Sequence, residues 1–314
     1  MIKDYKVYVA FIATNLIRNN YWPTSKFSMD SFAKTDYVDG IFLCDGQSED
    51  DTVELHKNAN LEKFNVVQCR KWNTDELTNK AYSEQITDIL RHFSSTEEKC
   101  VVFITSTEMF MHEALRPEFR GAVEKLIETD CNFFTPEHQK IVSKNIARRA
   151  AKVNWYEFSP YGFHESCVLK FNKDTKWDRV DENSTEIFGT AEPKNLNVKW
   201  VQPFLDYERW FQVPENFNNH MKNHLNYNNE NGEESEIYKH VIEKLFTWGL
   251  HVLHESSHPP EVQPMLKILE KHHYGYDIFG YLSVSKNEND QIIALTSKSD
   301  KVLQMMQKLS GVKE

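Results

Sequence analysis

The segment best suited to chemistry is a polar turn, Asp45-Gly46-Gln47-Ser48-Glu49-Asp50-Asp51-Thr52, which directly follows the apolar run GIFLC. A carboxylate in such a turn can accept hydrogen bonds from a nucleobase imide or from ribose hydroxyls. Ser48 and Thr52 are residue types that cap the helix expected to follow. The alternative is a strand-to-helix turn whose Asp and Ser residues serve turn chemistry only. This segment alone leaves both interpretations open.

The elements around this turn alternate short apolar runs with helical patterns, which is typical of an α/β fold with a mostly parallel sheet covered by helices. We predict strands at residues 6–12, 40–44, 65–69 and 100–104, and helices at 15–32 (interrupted near Pro23), 51–58, 75–93 and 113–129. The run Cys100–Ile104 is continuously apolar and should be central in the sheet. Ligands of open α/β sheets bind at the carboxyl ends of the strands, so the polar turn lies where a small molecule should bind.

Composition predicts how the chain is divided. Residues 214–235 are rich in Asn, Glu and Gly, a composition that buries little apolar surface. We therefore predict a Rossmann-like α/β domain over residues 1–213, a linker or helix end over 214–235, and a small helical or mixed extension over 236–314.

Charge limits the classes of partner. The formal net charge of -10 argues against a globally basic nucleic-acid-binding protein. A local exception is the segment from Lys140 to Lys152, whose basic residues have helical spacing. It is either a solvated helix face or a surface that contacts a phosphate or an acidic acceptor.

Hydropathy and cysteine usage predict the compartment. No window approaches the roughly 18 consecutive apolar residues of a membrane span, so we expect a cytoplasmic protein of a bacterium or of a virus-infected host cell. The five cysteines are odd in number, far apart and mostly within apolar runs, as buried free thiols are. We expect no disulfide partner among them.

Three segments together resemble family 2 glycosyltransferases. The strand KVYVAFIATN, the motif D-G-Q-S-E-D-D-T and the helix VELHKN are similar to the family's opening, which is a strand, then D-x-x-S-x-D-x-T, then a helix. The segment Trp72–Ala81 (WNTDELTNKA) is similar to one in members that modify lipopolysaccharide cores. The segment Val102–Glu108 (VFITSTE) stands where many relatives have F-L-D-A-D-E. The resemblance implies a GT-A fold in which Asp45 contacts the base of a nucleoside diphosphate sugar, with a UDP-sugar favoured.

The resemblance also implies a donor site at the strand ends. Its expected residues are Asn15, Asp45, Ser48, Asp50, Arg70, Lys80, Thr105, Thr107 and Glu108. The family's D-x-D binds a divalent metal that neutralises the diphosphate, and hard cations need anionic oxygen ligands. Here Thr105 and Thr107 replace both aspartates, and Glu108 alone remains as a candidate ligand. Mn²⁺ or Mg²⁺ stays an open option with its usual ligands missing; without a metal, Lys, Arg or backbone N–H groups must meet the charge.

Two later segments depart from the family in the same direction. Asp181 stands where relatives have the histidine of a His-Glu pair, and Gln202 stands where they have a later histidine. Joint change at several ligand positions indicates a metal-independent site or a loss of transfer activity, and misalignment is the third interpretation. In an inverting transfer, Glu182 is the first choice for the base that deprotonates the acceptor hydroxyl, and Asp181 is the second.

The acceptor is less defined. Aromatic residues crowd residues 155–163, and we expect acceptor contacts from Tyr161, His164, Arg148 and Arg149. The predicted activity is a hexosyl- or pentosyltransferase acting on a glycan precursor or on a hydroxymethylated pyrimidine in phage DNA. The rival is a non-catalytic module that binds a sugar nucleotide through a degenerate GT-A site. A nucleotidyltransferase is disfavoured because no Gly-rich phosphate loop is present.

Overall fold

The computed structural model describes residues 1–19, 21–22, 24–72, 78–96, 98–143, 146–148, 166–181, 187–202, 204–207, 250–252, 258–263, 282–286 and 292–297. The chain forms two compact units, Met1–His138 with Lys152–Asp206, and Gln139–Ala151 with Tyr207–Glu314. The predicted linker over 214–235 lies outside the described residues, so the predicted domain limits stay predictions. No helix among the described ranges combines the length and apolarity of a membrane span.

The described strands are β1 (Lys6–Ala13), β2 (Gly40–Asp45), β3 (Phe64–Gln68), β4 (Cys100–Ser106), β5 (Met109–Phe110), β6 (Phe133–Phe134), β7 (His138–Ser143), β8 (Ile146–Arg148), β9 (Cys167–Phe171), β10 (Trp177–Val180), β11 (Ile187–Gly189), β12 (Phe204–Asp206), β13 (Leu250–Val252), β14 (Leu282–Lys286) and β15 (Ile292–Ser297). The helices are α1 (Thr24–Ala33), α2 (Thr52–Asn58), α3 (Thr78–Ser95) and α4 (Arg116–Glu128), and a 3₁₀ helix, Glu113–Leu115, precedes α4. A second 3₁₀ helix spans Pro260–Val262.

The first unit contains a six-stranded sheet in the order β3-β2-β1-β4-β9-β6. Strands β1 to β4 are parallel, and β9 runs antiparallel to β4. The predicted α/β class, with a mostly parallel central sheet flanked by helices, is therefore confirmed. The strand predicted at 100–104 is central, since β4 lies between β1 and β9.

Side chains of the parallel strands alternate between two apolar layers. Val7, Val9 and Phe11 of β1 pack with α1 and α4 on one face, and Tyr8 and Ala10 pack with α3 and β10 on the other. Successive side chains of a strand point to opposite faces, and both faces are covered here, so β1 needs apolar residues at nearly every position. This is why its sequence reads as a continuous apolar run.

One predicted helix and one predicted helical spacing are wrong in part. The helix predicted at 15–32 begins only at Thr24, because Asn15 has a φ of 45° and residues 16–19 form a turn, after which the Tyr21 N–H bonds to the Leu16 carbonyl, five residues back, rather than four. The spacing of basic residues in Lys140–Lys152 predicts a helix face, but the described part of this segment belongs to β7 and β8, an antiparallel pair. There the local hairpin ladder satisfies the backbone and outweighs the charge periodicity.

A buried histidine joins α1 to α2. The His56 ring is 0% exposed, with Nδ1 2.6 Å from the carbonyl oxygen of Thr52 and Nε2 2.9 Å from the hydroxyl of Ser25. A carbonyl can only accept, so Nδ1 carries the proton and Nε2 accepts from Ser25. Burial lowers the pKa of His56. The neutral ring is therefore the form that fits the fold.

This predicts that the free energy of unfolding decreases as the pH falls below about 6.5, the pKa of an unfolded histidine. Below that pH the unfolded chain binds a proton that folded His56 resists, and linkage then destabilises the fold. Urea titrations between pH 7.5 and 5 should show a steeper decrease for the wild type than for His56→Gln. Equal slopes in the two proteins would contradict the assignment.

Candidate functional site

The candidate site lies at the carboxyl ends of β1, β2 and β4. From β1, the chain places β2 and β3 on one side and β4 on the other, so the strand order reverses there. Loops that leave such a topological switch point in opposite directions open a crevice, and ligands of open α/β sheets bind in it. We call the residues that end these strands, Asn15, 45–52 and 105–108, the switch-point site.

Asp45 is the last residue of β2 and is 2% exposed. Its carboxylate accepts hydrogen bonds from the Ser48 backbone N–H (3.1 Å), the Ser48 hydroxyl and the Gln68 side-chain amide (3.1 Å). A carboxylate has about four lone-pair positions, so three protein donors occupy most of them. The structure therefore shows the turn role of Asp45 directly, and its contact with a nucleobase stays a prediction.

Four hydrogen bonds join the loop after β1 to the loop after β2. Each runs from a backbone N–H of one loop to a side-chain oxygen of the other: Asn15 to Ser48 (2.7 Å), Leu16 to Thr52 (2.7 Å), Arg18 to Asp50 (2.8 Å) and Glu49 to Asn15 (2.8 Å). Asn15 also has a φ of 45°, in the left-handed region that Asn tolerates better than most residues. We call this set the inter-loop ladder.

The ladder changes the interpretation of the D-x-x-S-x-D-x-T motif. Ser48, Asp50 and Thr52 use their side chains to hold residues 15–18, and the predicted capping of α2 by Ser48 and Thr52 is wrong. The N-cap of α2 is Asp51, which makes no capping bond, and Asp50 instead accepts the Thr52 N–H at 3.0 Å. The reason is tertiary: the loop after β1 offers backbone donors that compete for these oxygens.

Gln85 of α3 is a structural contributor that sequence reasoning missed. Its side-chain amide donates to the carbonyl oxygens of Ala13 (2.9 Å) and Cys44 (2.7 Å), which joins the ends of β1 and β2. Gly46 lies directly against it, since a Cβ there would be 3.2 Å from the Gln85 Nε2. The available signal was a glutamine directly before Ile86, a residue of the apolar face of α3.

The segment at the end of β4 is mostly buried. Thr105 is 0% exposed and its hydroxyl lies 3.1 Å from that of Ser166, and Thr107 is 4% exposed. Glu108 is 9% exposed. Within the described ranges, no group of three or more His, Cys, Asp and Glu residues could hold a metal ion. The residues at the D-x-D positions therefore do not fit the family's divalent metal, because one hydroxyl is engaged and neither is anionic.

Asp206 is a second residue that sequence reasoning missed. It ends β12, which pairs with β5 so that Asp206 lies opposite Met109, the residue after Glu108. Asp206 is 3% exposed. The register thus brings a further carboxyl group to the end of β4. The available signal in the sequence was the position of Asp206 directly after the short apolar run FL.

The candidate base Asp181 directly follows β10. This strand starts where the Trp177 indole donates to the Lys170 carbonyl (3.0 Å), beside the first residues of β4. It ends where the Val180 N–H donates to the Thr87 hydroxyl (3.0 Å), half a helical turn from Gln85. Strand β10 therefore runs towards the carboxyl end of the sheet, and Asp181 follows it in the direction of the switch-point site.

Several other predicted residues are not placed by the structure. Glu182, Tyr161, His164 and Arg149 lie outside the described residues, and Arg148 belongs to β8 of the second unit without a described side chain. Their proposed roles stay predictions.

Arg70, a predicted cation at the strand ends, already has acidic partners. It makes a bidentate ion pair with Asp88 (3.0 and 2.7 Å), which raises the pKa of Arg70, and it lies 3.6 Å from Glu84. A diphosphate contact by Arg70 would therefore require that its pair with Asp88 be exchanged. Lys80, the other predicted cation, is half-buried on the first turn of α3.

No protein-family model matches the chain, and no curated protein matches it. Among the solved structures that match is TarS from S. aureus, with a TM-score of 0.40 and 12% identity over 88% of this chain and 45% of that chain. Glucosyl-3-phosphoglycerate synthase from Mycobacterium tuberculosis, in complex with Mn²⁺, UDP-glucose and phosphoglyceric acid, matches with a TM-score of 0.33 and 15% identity over 53% of this chain and 57% of that chain. 4-Diphosphocytidyl-2C-methyl-D-erythritol synthase from Anaerococcus prevotii matches with a TM-score of 0.34 and 9% identity over 86% of this chain and 97% of that chain. The chain spans less than half of TarS. All three TM-scores are below 0.5, so the function proposed below depends on the site itself.

Proposed function

We propose that this chain is a GT-A type glycosyltransferase that transfers a sugar from a nucleotide sugar to an acceptor hydroxyl at the switch-point site. The observation that carries the proposal is the arrangement of Asp45. Its buried carboxylate is held at the end of β2, beside a loop that four hydrogen bonds pre-organise. The three protein donors leave the Asp45 carboxylate about one lone-pair position for a nucleobase or a ribose, and little ordering of the loop remains to be done on binding.

The transfer we propose is a single displacement. A carboxylate, Glu182 or Asp181, takes the proton of the acceptor hydroxyl while that oxygen bonds to the anomeric carbon of the sugar. The bond from the anomeric carbon to the diphosphate oxygen breaks with its electron pair, and the configuration at that carbon is inverted. Lys80 and backbone N–H groups at the strand ends are the proposed partners of the charge that develops on the diphosphate.

A metal-independent donor site leads to a direct prediction. Release of nucleoside diphosphate from a panel of UDP-, GDP- and dTDP-sugars should continue in EDTA at no less than about half the rate measured with Mn²⁺, because Thr105 and Thr107 supply no anionic ligand. UDP-sugars are tested first. An EDTA-treated enzyme that is inactive until Mn²⁺ is restored would instead point to a metal held by carboxylates such as Glu108.

A matched pair of variants tests whether nucleotide-sugar binding depends on the switch-point site. Asp45→Asn places an N–H group among donors that need an acceptor, so nucleotide-sugar binding should weaken by at least about tenfold in calorimetry. Asp51→Asn changes a neighbouring exposed carboxylate that makes no capping bond and should bind as the wild type does. Binding without turnover for any donor and acceptor would favour the non-catalytic module.

The acceptor is tested in the same assay. A hydroxymethylated DNA acceptor predicts stimulation of diphosphate release and binding that weakens steeply with salt, since phosphate contacts release counterions. A glycan-precursor acceptor predicts no response to that DNA at any salt concentration.

A further inference from the structure

Along one edge of β10, the backbone groups form hydrogen bonds with a helix rather than with a strand. β11 pairs with one edge, and on the other edge the backbone groups bond to side chains of α3. These bonds are Trp177 N–H to the Ser94 hydroxyl (3.0 Å), the Ser94 hydroxyl to the Trp177 carbonyl (2.6 Å), Arg91 Nε to the Asp178 carbonyl (3.2 Å) and Val180 N–H to the Thr87 hydroxyl (3.0 Å). We call this set the helix-side ladder.

The bonds of the helix-side ladder are spaced over similar distances along α3 and along β10. Thr87, Arg91 and Ser94 recur at helical spacing and so lie on one face of α3. Seven residues of helix rise about 10.5 Å, and three residues of regular strand rise about 10 Å. β10 has a register shift between Trp177 and Arg179, and the first and last bonds form together across this irregularity. The pair of bonds fixes where β10 stops along α3.

Side-chain burial is consistent with the same register. Trp177 and Val180 are buried in the apolar layer next to α3, whereas Asp178 and Arg179 are exposed. A slip of β10 by one residue would move each backbone group by about 3.3 Å and turn buried side chains outwards. The register is thus set by packing and by the ladder together.

Thr87 holds the residue directly before Asp181. It is 7% exposed, and its hydroxyl accepts the Val180 N–H, the last described hydrogen bond before the two candidate base residues. We infer that Thr87 is a positioning residue of the proposed transferase, which sets the reach of the Asp181 carboxylate through the register of β10. This inference depends on the proposed function, because it assigns Thr87 a task in that reaction.

The test begins with the backbone bond itself. Thr87→Val keeps the shape and removes the hydroxyl, and Thr87→Ser keeps the hydroxyl. Amide hydrogen exchange at Val180 should be about tenfold faster in Thr87→Val and near the wild-type rate in Thr87→Ser. The control Thr96→Val removes a hydroxyl that bonds to the Phe93 carbonyl at the end of the same helix and should leave Val180 exchange unchanged.

Kinetics then separate positioning from general stability. Thr87→Val should lower kcat by about 10- to 100-fold, with donor KM within about twofold, because a small displacement of a base weakens proton transfer more than binding. The acidic limb of its kcat–pH profile should shift, since that limb reports the base in the complex. Thr87→Ser should restore both, and Thr96→Val should match the wild type.

Each outcome decides a different statement. Unchanged Val180 exchange in Thr87→Val would overturn the ladder. Faster exchange with unchanged kcat and pH profile would overturn the positioning role while the transferase proposal stands. A wild-type protein with no turnover for any donor and acceptor would overturn the proposed function and this inference with it.

Discussion

Glu182→Gln is expected to lower kcat by about 10²- to 10⁴-fold, the usual contribution of a positioned general base. The amide is close in shape to the carboxylate but cannot take the proton of the acceptor hydroxyl. Donor affinity should change less than about threefold, because the base acts on the acceptor. The measurement is kcat and donor KM at saturating acceptor for Glu182→Gln and Asp181→Asn in parallel.

The structural support for this prediction is the course of β10. The Val180 N–H donates to the hydroxyl of Thr87 in α3. Gln85, two residues earlier in the same helix, donates to the carbonyl oxygens at the ends of β1 and β2. Asp181 and Glu182 are the next two residues of the sequence, and Asp181 is the one that the structure describes. A larger loss in Asp181→Asn than in Glu182→Gln would exchange their roles, and activity near the wild-type value in both would remove the base from this segment.

Asp50→Ala is expected to reduce the free energy of unfolding by about 2–3 kcal/mol, since the hydrogen bonds that backbone N–H groups donate to an ionised carboxylate are lost. Asp50 accepts the N–H groups of Arg18 and Thr52, so its loss loosens the loop after β1 as well as the start of α2. Because Asp50 is partly exposed, we expect a loss at the lower end of this range, about 2 kcal/mol. Urea denaturation at pH 7 measures it.

Asp51→Ala is the matched control for Asp50→Ala. Asp51 is exposed and makes no side-chain capping bond, so its truncation should change stability by no more than about 0.5 kcal/mol. Equal losses in the two variants would contradict the inter-loop ladder as the source of the effect.

The pH dependence gives Asp50 a second signature. Burial opposes its ionisation, but hydrogen bonds from Arg18 and Thr52 outweigh burial and hold its pKa below the usual value. For a carboxyl with a lowered pKa, the stabilisation is fully present above about pH 4, the unfolded pKa, and is lost as the pH falls through the folded pKa. The wild type and Asp50→Ala should therefore converge in stability under acid.

The strands of the first unit could be predicted because their signal is local. The predicted run 6–12 is β1, and 100–104 falls within β4, since burial on both faces of a parallel sheet requires apolar residues at nearly every position. The same logic predicts a site at the strand ends, because parallel strands share one carboxyl edge. Periodicity predicted a helix at residues 15–19, where the chain instead forms a turn whose side-chain partners lie in the loop after β2.

The residue types at the end of each strand can be read from the sequence alone, including the carboxylate that ends β2 and the threonine hydroxyls at the end of β4. The roles of those side chains depend on the tertiary structure. Ser48 bonds to the Asn15 N–H 33 residues away, and the Thr105 hydroxyl lies against Ser166, 61 residues away. The partners of a hydroxyl or a carboxylate are set by which strands are neighbours, and strand order results from packing of the whole core rather than from any local pattern.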